Sequence, residues 1–431
     1  MKRLLPLLLL PAFLCWDQAA GQFVQARFVS SAYGWQRYDT VGQKVDHLYG
    51  FQNVQLSVTS GTLSFNTHFQ GFNDFSGPLK NDPTYRLYNI SLKARSLFDM
   101  VDVQAGRFFV FAGAGTGSMD GGLTTVRLPF APVKVTGYYG LLTPPGQKAE
   151  LIGNAADNTM LGIHVVGQPV EEAQVSVSYA KKTMAQETYR AIRADSATGF
   201  IPYTVEMHPA PRNEELFSGD ANIDIAGIAE GYVRYDYDLL TEKSSRFNAF
   251  GRMWIMDGLA VTGEYLQREP RISFNSIFSA FAFESLKETE GGVEFRVIDG
   301  CFLVAKYGTV SYGDESSNRI TLAANGRLVS ASVTRNVTYD GEISAANVNM
   351  SYPLLDNLVT PSLLVSYASY KFAENAPLDN ALSLGAGALV RPLPSLSVDA
   401  QVQWISNPIV ANDVRVFLRA SYLLNQRLDL F

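Results

Sequence analysis

Charged residues recur at alternate positions of apolar stretches, and they carry the chain's most informative chemistry. Lys93, Arg95, Arg127, Arg234, Arg296, Lys306, Arg415 and Arg419 supply cations, and Asp102, Asp236, Glu264, Glu294 and Asp399 supply anions. In a dry core such a set would be costly to bury. A water-filled interior removes most of that cost, and its charged wall then sorts solutes by size and sign. The same side chains can also pair across strands and brace the wall.

Other chemistry finds little to work with. The histidines are His47, His68, His164 and His208, and none stands in a His-Glu-x-x-His arrangement. Gly-x-Ser-x-Gly elbows and Gly-x-x-x-x-Gly-Lys phosphate loops do not occur in the sequence. Gly113-Ala-Gly-Thr-Gly117 resembles a phosphate cradle only loosely, because no helix-forming segment follows it. After the leader the one cysteine is Cys301, too few for an intrachain disulfide or a cysteine-built metal site. We expect no enzyme activity, no cofactor and, at a net charge of −6, no nucleic-acid partner.

The elements that position these charges read as β-strands. Val54, Leu56 and Val58 alternate with Gln55 and Ser57, and Leu63, Phe65, Thr67 and Phe69 with Ser64, Asn66 and His68. The period of two returns at Val175–Tyr179, at Val398–Trp404 and at Val414–Tyr422. Eight to ten such residues make a strand about long enough to cross a bilayer at a tilt. Strict alternation from Val103 sends Arg107 to the apolar face, unless a bend at Gly106 turns it inward. Connections alternate in length. Thr59–Thr62, Ser96–Asp99, Pro129–Pro132, Met256–Gly258 and Ala324–Arg327 are short. Gly71–Thr84, Ala112–Gly122, Thr143–Asn158, Gly308–Asn318 and Phe372–Asp379 read as long loops. Further short connections fall near Glu290 and Asp299, and Lys182–Ala226 reads as a large external loop or a hidden hairpin.

The chain of 431 residues opens with Lys2-Arg3, an apolar run from Leu4 to Cys15, and the small residues Ala19-Ala20-Gly21. That is the pattern of a secretory leader cleaved after Gly21. The expected organisation is a signal peptide over 1–21 and one barrel over 22–431. Only 18 % of residues are charged, and no later segment reaches the apolar length of a spanning helix. A membrane segment must then be a closed barrel, which leaves no backbone group unpaired.

Val103-Gln-Ala-Gly-Arg-Phe-Phe, the glycine-rich run to Met119-Asp-Gly-Gly, and Leu123-Thr-Thr-Val-Arg127 resemble the strand–loop–strand pattern of the large Gram-negative porin-type outer-membrane barrels. The ending Asp413–Tyr422 with Phe431 last is similar to theirs, although Asn425, Arg427 and Asp429 break the alternation, so either the strand ends near Leu424 or the final segment is irregular. The resemblance covers the whole mature chain. It implies an all-β transmembrane antiparallel barrel, and the alternating segments and their connections give it roughly 18 strands, in a range of about 16 to 20. It further implies export by a Sec-type route to the outer membrane, with lipid and the barrel-assembly machinery as partners. The expected function is a porin-like channel for passive diffusion of small solutes or ions, as a monomer or homotrimer. The pore-lining set is Lys93, Arg95, Arg127, Arg234, Asp236, Glu264, Glu294, Arg296, Lys306, Asp399, Arg415 and Arg419. The alternatives are a sheath around a periplasmic multihaem cytochrome and a hydrolase with its site at the barrel rim.

Overall fold

The structure, a computed structural model, describes residues 22–38, 44–76, 84–194, 197, 199–269, 284–338, 342–371, 376–410 and 412–428. The leader expected over 1–21 lies outside them. The chain begins with β1 (Gln22–Tyr38), β2 (Lys44–Ser60), β3 (Leu63–Asp74), β4 (Tyr85–Leu97), β5 (Val101–Ala112) and β6 (Gly115–Arg127). Then come β7 (Val133–Leu142), β8 (Thr159–Val170), β9 (Ala173–Met184), the short β10 (Tyr189–Arg193) and β11 (Tyr203–Met207), and β12 (Arg212–Ile225). The next six are β13 (Ala229–Asp238), β14 (Lys243–Met256), β15 (Leu259–Arg268), β16 (Leu286–Ile298), β17 (Cys301–Tyr312) and β18 (Glu315–Asn325). The last are β19 (Val329–Thr338), β20 (Glu342–Ser351), β21 (Val359–Lys371), β22 (Asp379–Leu393), β23 (Leu396–Ser406) and β24 (Asp413–Leu428).

Each wall strand pairs antiparallel with the next, β12 takes up the sheet from β9, and β24 pairs with β1. The ring is therefore closed, with 22 strands among the described residues and no free edge. Strands β10 and β11 form a separate hairpin beyond the ring.

The count exceeds the expected 18, and polar, glycine-containing stretches that read as loops are strand. β5 and β6 run through most of Ala112–Gly122 and turn at Gly113-Ala114, while β17 and β18 run through Gly308–Asn318 and turn at Gly313-Asp314. Glu290 lies within β16 rather than in a connection. The 182–226 stretch contains the β10–β11 hairpin and also a complete wall strand, β12. β24 continues past Leu424 to Leu428, opposite Gln22, so the polar ending still closes the ring. In each case cross-strand hydrogen bonding continues where side-chain patterning fades, because the backbone groups must pair whatever the side chains are.

Register fixes the two faces. Ala400 stands opposite Leu418 and Val402 opposite Val416, while Asp399 faces Arg419 and Gln403 faces Arg415. The apolar set looks outward, with Val402, Val416 and Leu418 about half exposed at 50, 48 and 49 %. One end of the barrel carries the two-to-seven-residue turns, such as 61–62, 257–258 and 394–395, together with the start of β1 and the finish of β24. Gly258 and Gly300 there adopt φ of 81° and 78°, which tight hairpin turns demand. The opposite end carries 143–158 and the β10–β11 hairpin.

Candidate functional site

The face opposite the exposed apolar side chains is a lattice of ion pairs. Arg127 bonds Asp102 at 2.5 Å, Arg234 bonds Asp236 at 2.9 Å, and Arg419 bonds Asp399 at 3.0 Å. Arg415 reaches Asp413 at 2.9 Å, Lys306 reaches Glu290 at 2.9 Å, and Arg296 pairs with Asp257. Glu294 accepts from Arg252 at 2.9 Å, and Arg252 also bonds Glu230 at 3.1 Å between the rings of Phe250 and Trp254. Arg319 joins Glu288 to Glu290. Lys93 and Glu264 share this face without joining these pairs, and Glu264 stands opposite Glu290, whereas Arg95 falls in the irregular end of β4, between Ala94 and Leu97.

Sequence reading missed Asp257, Asp413, Glu290, Arg252 and Arg319. Asp413 sits two residues from Arg415, so the same parity that selected Arg415 pointed to it. Three of the pairs share a polarity. Asp102, Asp399 and Asp413 are buried against the wall, whereas Arg127, Arg419 and Arg415 remain 46, 42 and 39 % exposed. The carboxylates anchor and the guanidiniums face the interior. Charge is also uneven around the ring: from β19 to β23 the same face presents Ser332, Thr334, Asn347, Ser366, Gln401 and Gln403.

The most consequential feature is a hairpin that leaves the wall. β5 pairs with β4 only from Val101 to Arg107, and β6 pairs with β7 only from Met119 to Arg127. Between those limits Phe108–Ser118 pair as strands only with each other. Gly106, at φ 120°, marks the bend, and a Cβ there would lie 2.3 Å from the Ile90 carbonyl. The tip lies on the inner wall. The Ala114 N–H donates to Ser178 Oγ at 2.8 Å, Arg234 donates to the Gly113 carbonyl at 3.3 Å, and Lys182 donates to the Thr116 carbonyl. Phe108, Val110, Ala112 and Met119 form one buried cluster with Tyr138 and Met160. The approach needs glycine: a Cβ on Gly115 would fall 1.7 Å from Tyr138 Oη, and one on Gly113 2.1 Å from Ser178 Oγ.

Bending inward exchanges the environments of the hairpin's faces. Phe109 and Phe111 have the parity of the outward Val103, yet they project away from the wall that Phe108 and Val110 pack against. They therefore point into the lumen, 63 and 81 % exposed. Arg107 keeps the same parity but is 2 % exposed. It forms a two-pronged pair with Asp120 at 2.7 Å and donates to the carbonyls of Leu87, Lys148 and Glu150. One guanidinium thus ties β4, β6 and the 143–158 segment together where the hairpin departs. The segment's turn at Pro145–Gln147 lies against β4, covering the place the hairpin vacates. The expected bend at Gly106 is present, but it redirects the hairpin, and Arg107 keeps the outward parity while being enclosed by Asp120 and the 143–158 segment.

No family model matches the sequence, and comparison with curated proteins finds no similar one. Solved structures do match. The P pilus usher (PapC) translocation pore is similar over 92 % of this chain and 99 % of that one, at 9 % identity and a TM-score of 0.50. The likeness is one of fold. Outer-membrane porins are also among the structural neighbours. OccAB1 of Acinetobacter baumannii matches at 10 % identity over 95 % of this chain and 97 % of that one, with a TM-score of 0.44. OpdK of Pseudomonas aeruginosa matches at 10 % identity over 94 and 99 %, with a TM-score of 0.42.

Proposed function

We propose that this barrel spans the Gram-negative outer membrane, after removal of residues 1–21 on Sec-type export, and passes small solutes and ions by diffusion. The observation that carries the reading is the two-faced closed wall. Its outer face exposes Val, Leu and Phe around the ring, and its inner face holds the ion pairs. Water would penalise that outer face, whereas lipid accepts it, and a ring without an edge leaves no backbone group unpaired in hydrocarbon. Strands about 4.8 Å apart and tilted by about 40° give such a ring a diameter on the order of 40 Å. Side chains alone cannot narrow that opening, so the inward hairpin sets much of the bore.

Selectivity follows from the polarity of the pairs. Guanidiniums face the water and their carboxylates are recessed, so the lumen should favour anions weakly. Charge inside a narrow lumen is screened less than loop charge, which fades within about 8 Å at physiological salt. Replacing Arg127, Arg234 and Arg419 with Ala removes three cations and uncovers Asp102, Asp236 and Asp399. The reversal potential across a salt gradient in a planar bilayer should then move toward cation preference. An unchanged reversal potential in a conducting variant would remove these residues from the ion path.

A further inference from the structure

The inner face near the loop-bearing end carries an aromatic surface that ion passage does not require. Tyr33 and Trp35 on β1 stand opposite Tyr49 and His47 on β2, and Phe51 stands opposite Phe72 on β3. Across the ring closure Tyr33 faces Phe417 and Trp35 faces Arg415, which places the set on the inner side. The rings touch in succession. Trp35 lies 5.0 Å from Tyr33, 5.2 Å from His47 and 4.4 Å from Tyr49, and Phe72 lies 5.1 Å from Tyr49 and 5.2 Å from Phe51. Tyr49 is buried at the centre, and the others remain partly exposed around it.

Directly along the same strands the wall changes character. Asn53 stands opposite Gln70, Gln55 opposite His68, and Ser57 opposite Asn66. A recess of about 440 Å³ opens here, lined by Gln55, Ser57, Asn66, His68 and Asn89, with Arg27 at its edge. His68 stacks on Tyr88 at 4.8 Å, and Tyr88 bonds Gln70. From Phe51 to Gln55 is four residues, about 13 Å of strand.

Rings followed by amides suit one solute class. A pyranose has a flat face of C–H groups and a rim of hydroxyls that both donate and accept. The rings offer that face an apolar surface, and amides offer the rim donors and acceptors together. The nearby Arg415 and Arg419 are engaged by Asp413 and Asp399, so charge is not the main attraction. We propose that this strip, from Trp35 and Phe51 to the Gln55–Asn66 recess, is a binding track for short pyranose oligosaccharides. The proposal rests on the channel reading for its purpose, but not for its test.

The test uses the refolded mature chain with Trp254→Phe and Trp404→Phe, which leaves Trp35 as its one tryptophan. Cellotetraose should change Trp35 emission saturably, and benzoate, a ring-bearing acid without hydroxyls, should not. In planar bilayers cellotetraose should also interrupt the current. Tyr33→Ala and Phe51→Ala should each weaken binding about tenfold or more, roughly 1.4 kcal/mol. Phe65→Ala, on the outer face, should leave binding unaltered. Trp35→Phe keeps a ring and should keep the current block. A flat emission titration overturns the track even if the protein conducts, and so does a response to benzoate alone. Saturable binding by a protein that never conducts would keep the track and sink the channel.

Discussion

Deleting residues 108–118 and joining Arg107 to Met119 through a two-residue turn should raise single-channel conductance several-fold. The hairpin has no partner strand over this stretch, so its removal breaks no strand-to-strand ladder of the wall and costs the bonds that tie Ser178, Lys182 and Arg234 to the tip and Thr143 to Ser118. It does remove two exposed phenylalanines and a pair of strands from the lumen. A milder variant should act in the same direction. Gly115→Val places carbon where Tyr138 Oη stands, and the tip cannot keep its seat on β8 and β9. The current should then grow noisier as well as larger, because a hairpin held only at its root samples several positions. Equal conductance in the parent and both variants would show that the hairpin does not define the narrowest section.

The second large effect concerns Arg107. Arg107→Met strands Asp120 without its partner and leaves three carbonyls, those of Leu87, Lys148 and Glu150, without this donor. Breaking a buried pair from one side costs about 3–5 kcal/mol. We expect a loss of that order in urea unfolding from lipid vesicles. Cleavage within 143–158 should rise at protease levels that spare the parent. Asp120→Leu alone should cost similarly, and the double replacement less than the sum, because it leaves neither charge uncompensated. Additive losses, or a 143–158 segment as resistant as before, would show that this pair does not hold the segment.

Sequence alone reached the wall's two faces but not its circumference. Period two at Val398–Trp404 and Val414–Tyr422 is a direct consequence of one apolar and one polar environment, and the register of β23 and β24 agrees with it. Strand number was harder, because turns such as Gly313-Asp314 are two residues long and the flanking strands lose their alternation near the rim. β12 was concealed for a related reason. Its inner face carries Glu214, Ser218 and Asp220, and its outer face includes Glu215 and Gly219, so it lacks a clean apolar stripe. The hairpin's inward turn was not legible at all. Nothing in Phe108-Phe-Val-Phe distinguishes a strand facing lipid from one whose outer face has been turned to the lumen. The glycines at 113, 115 and 121 were visible, but their function depends on Tyr138, Ser178 and Gly140, which only the fold brings to them. The ion pairs stand between these cases: partners two residues apart follow from parity, whereas Arg296 with Asp257 requires the ring.

The most direct measurement is solute entry into vesicles containing the refolded mature chain, using neutral solutes of graded size, beside vesicles containing the 108–118 deletion. A channel narrowed by its own hairpin admits the smallest solutes at rates that fall steeply with size, and the deletion moves the cut-off to larger solutes. Both proteins, inserted and folded, leaving vesicles no more permeable than lipid alone would contradict the channel itself.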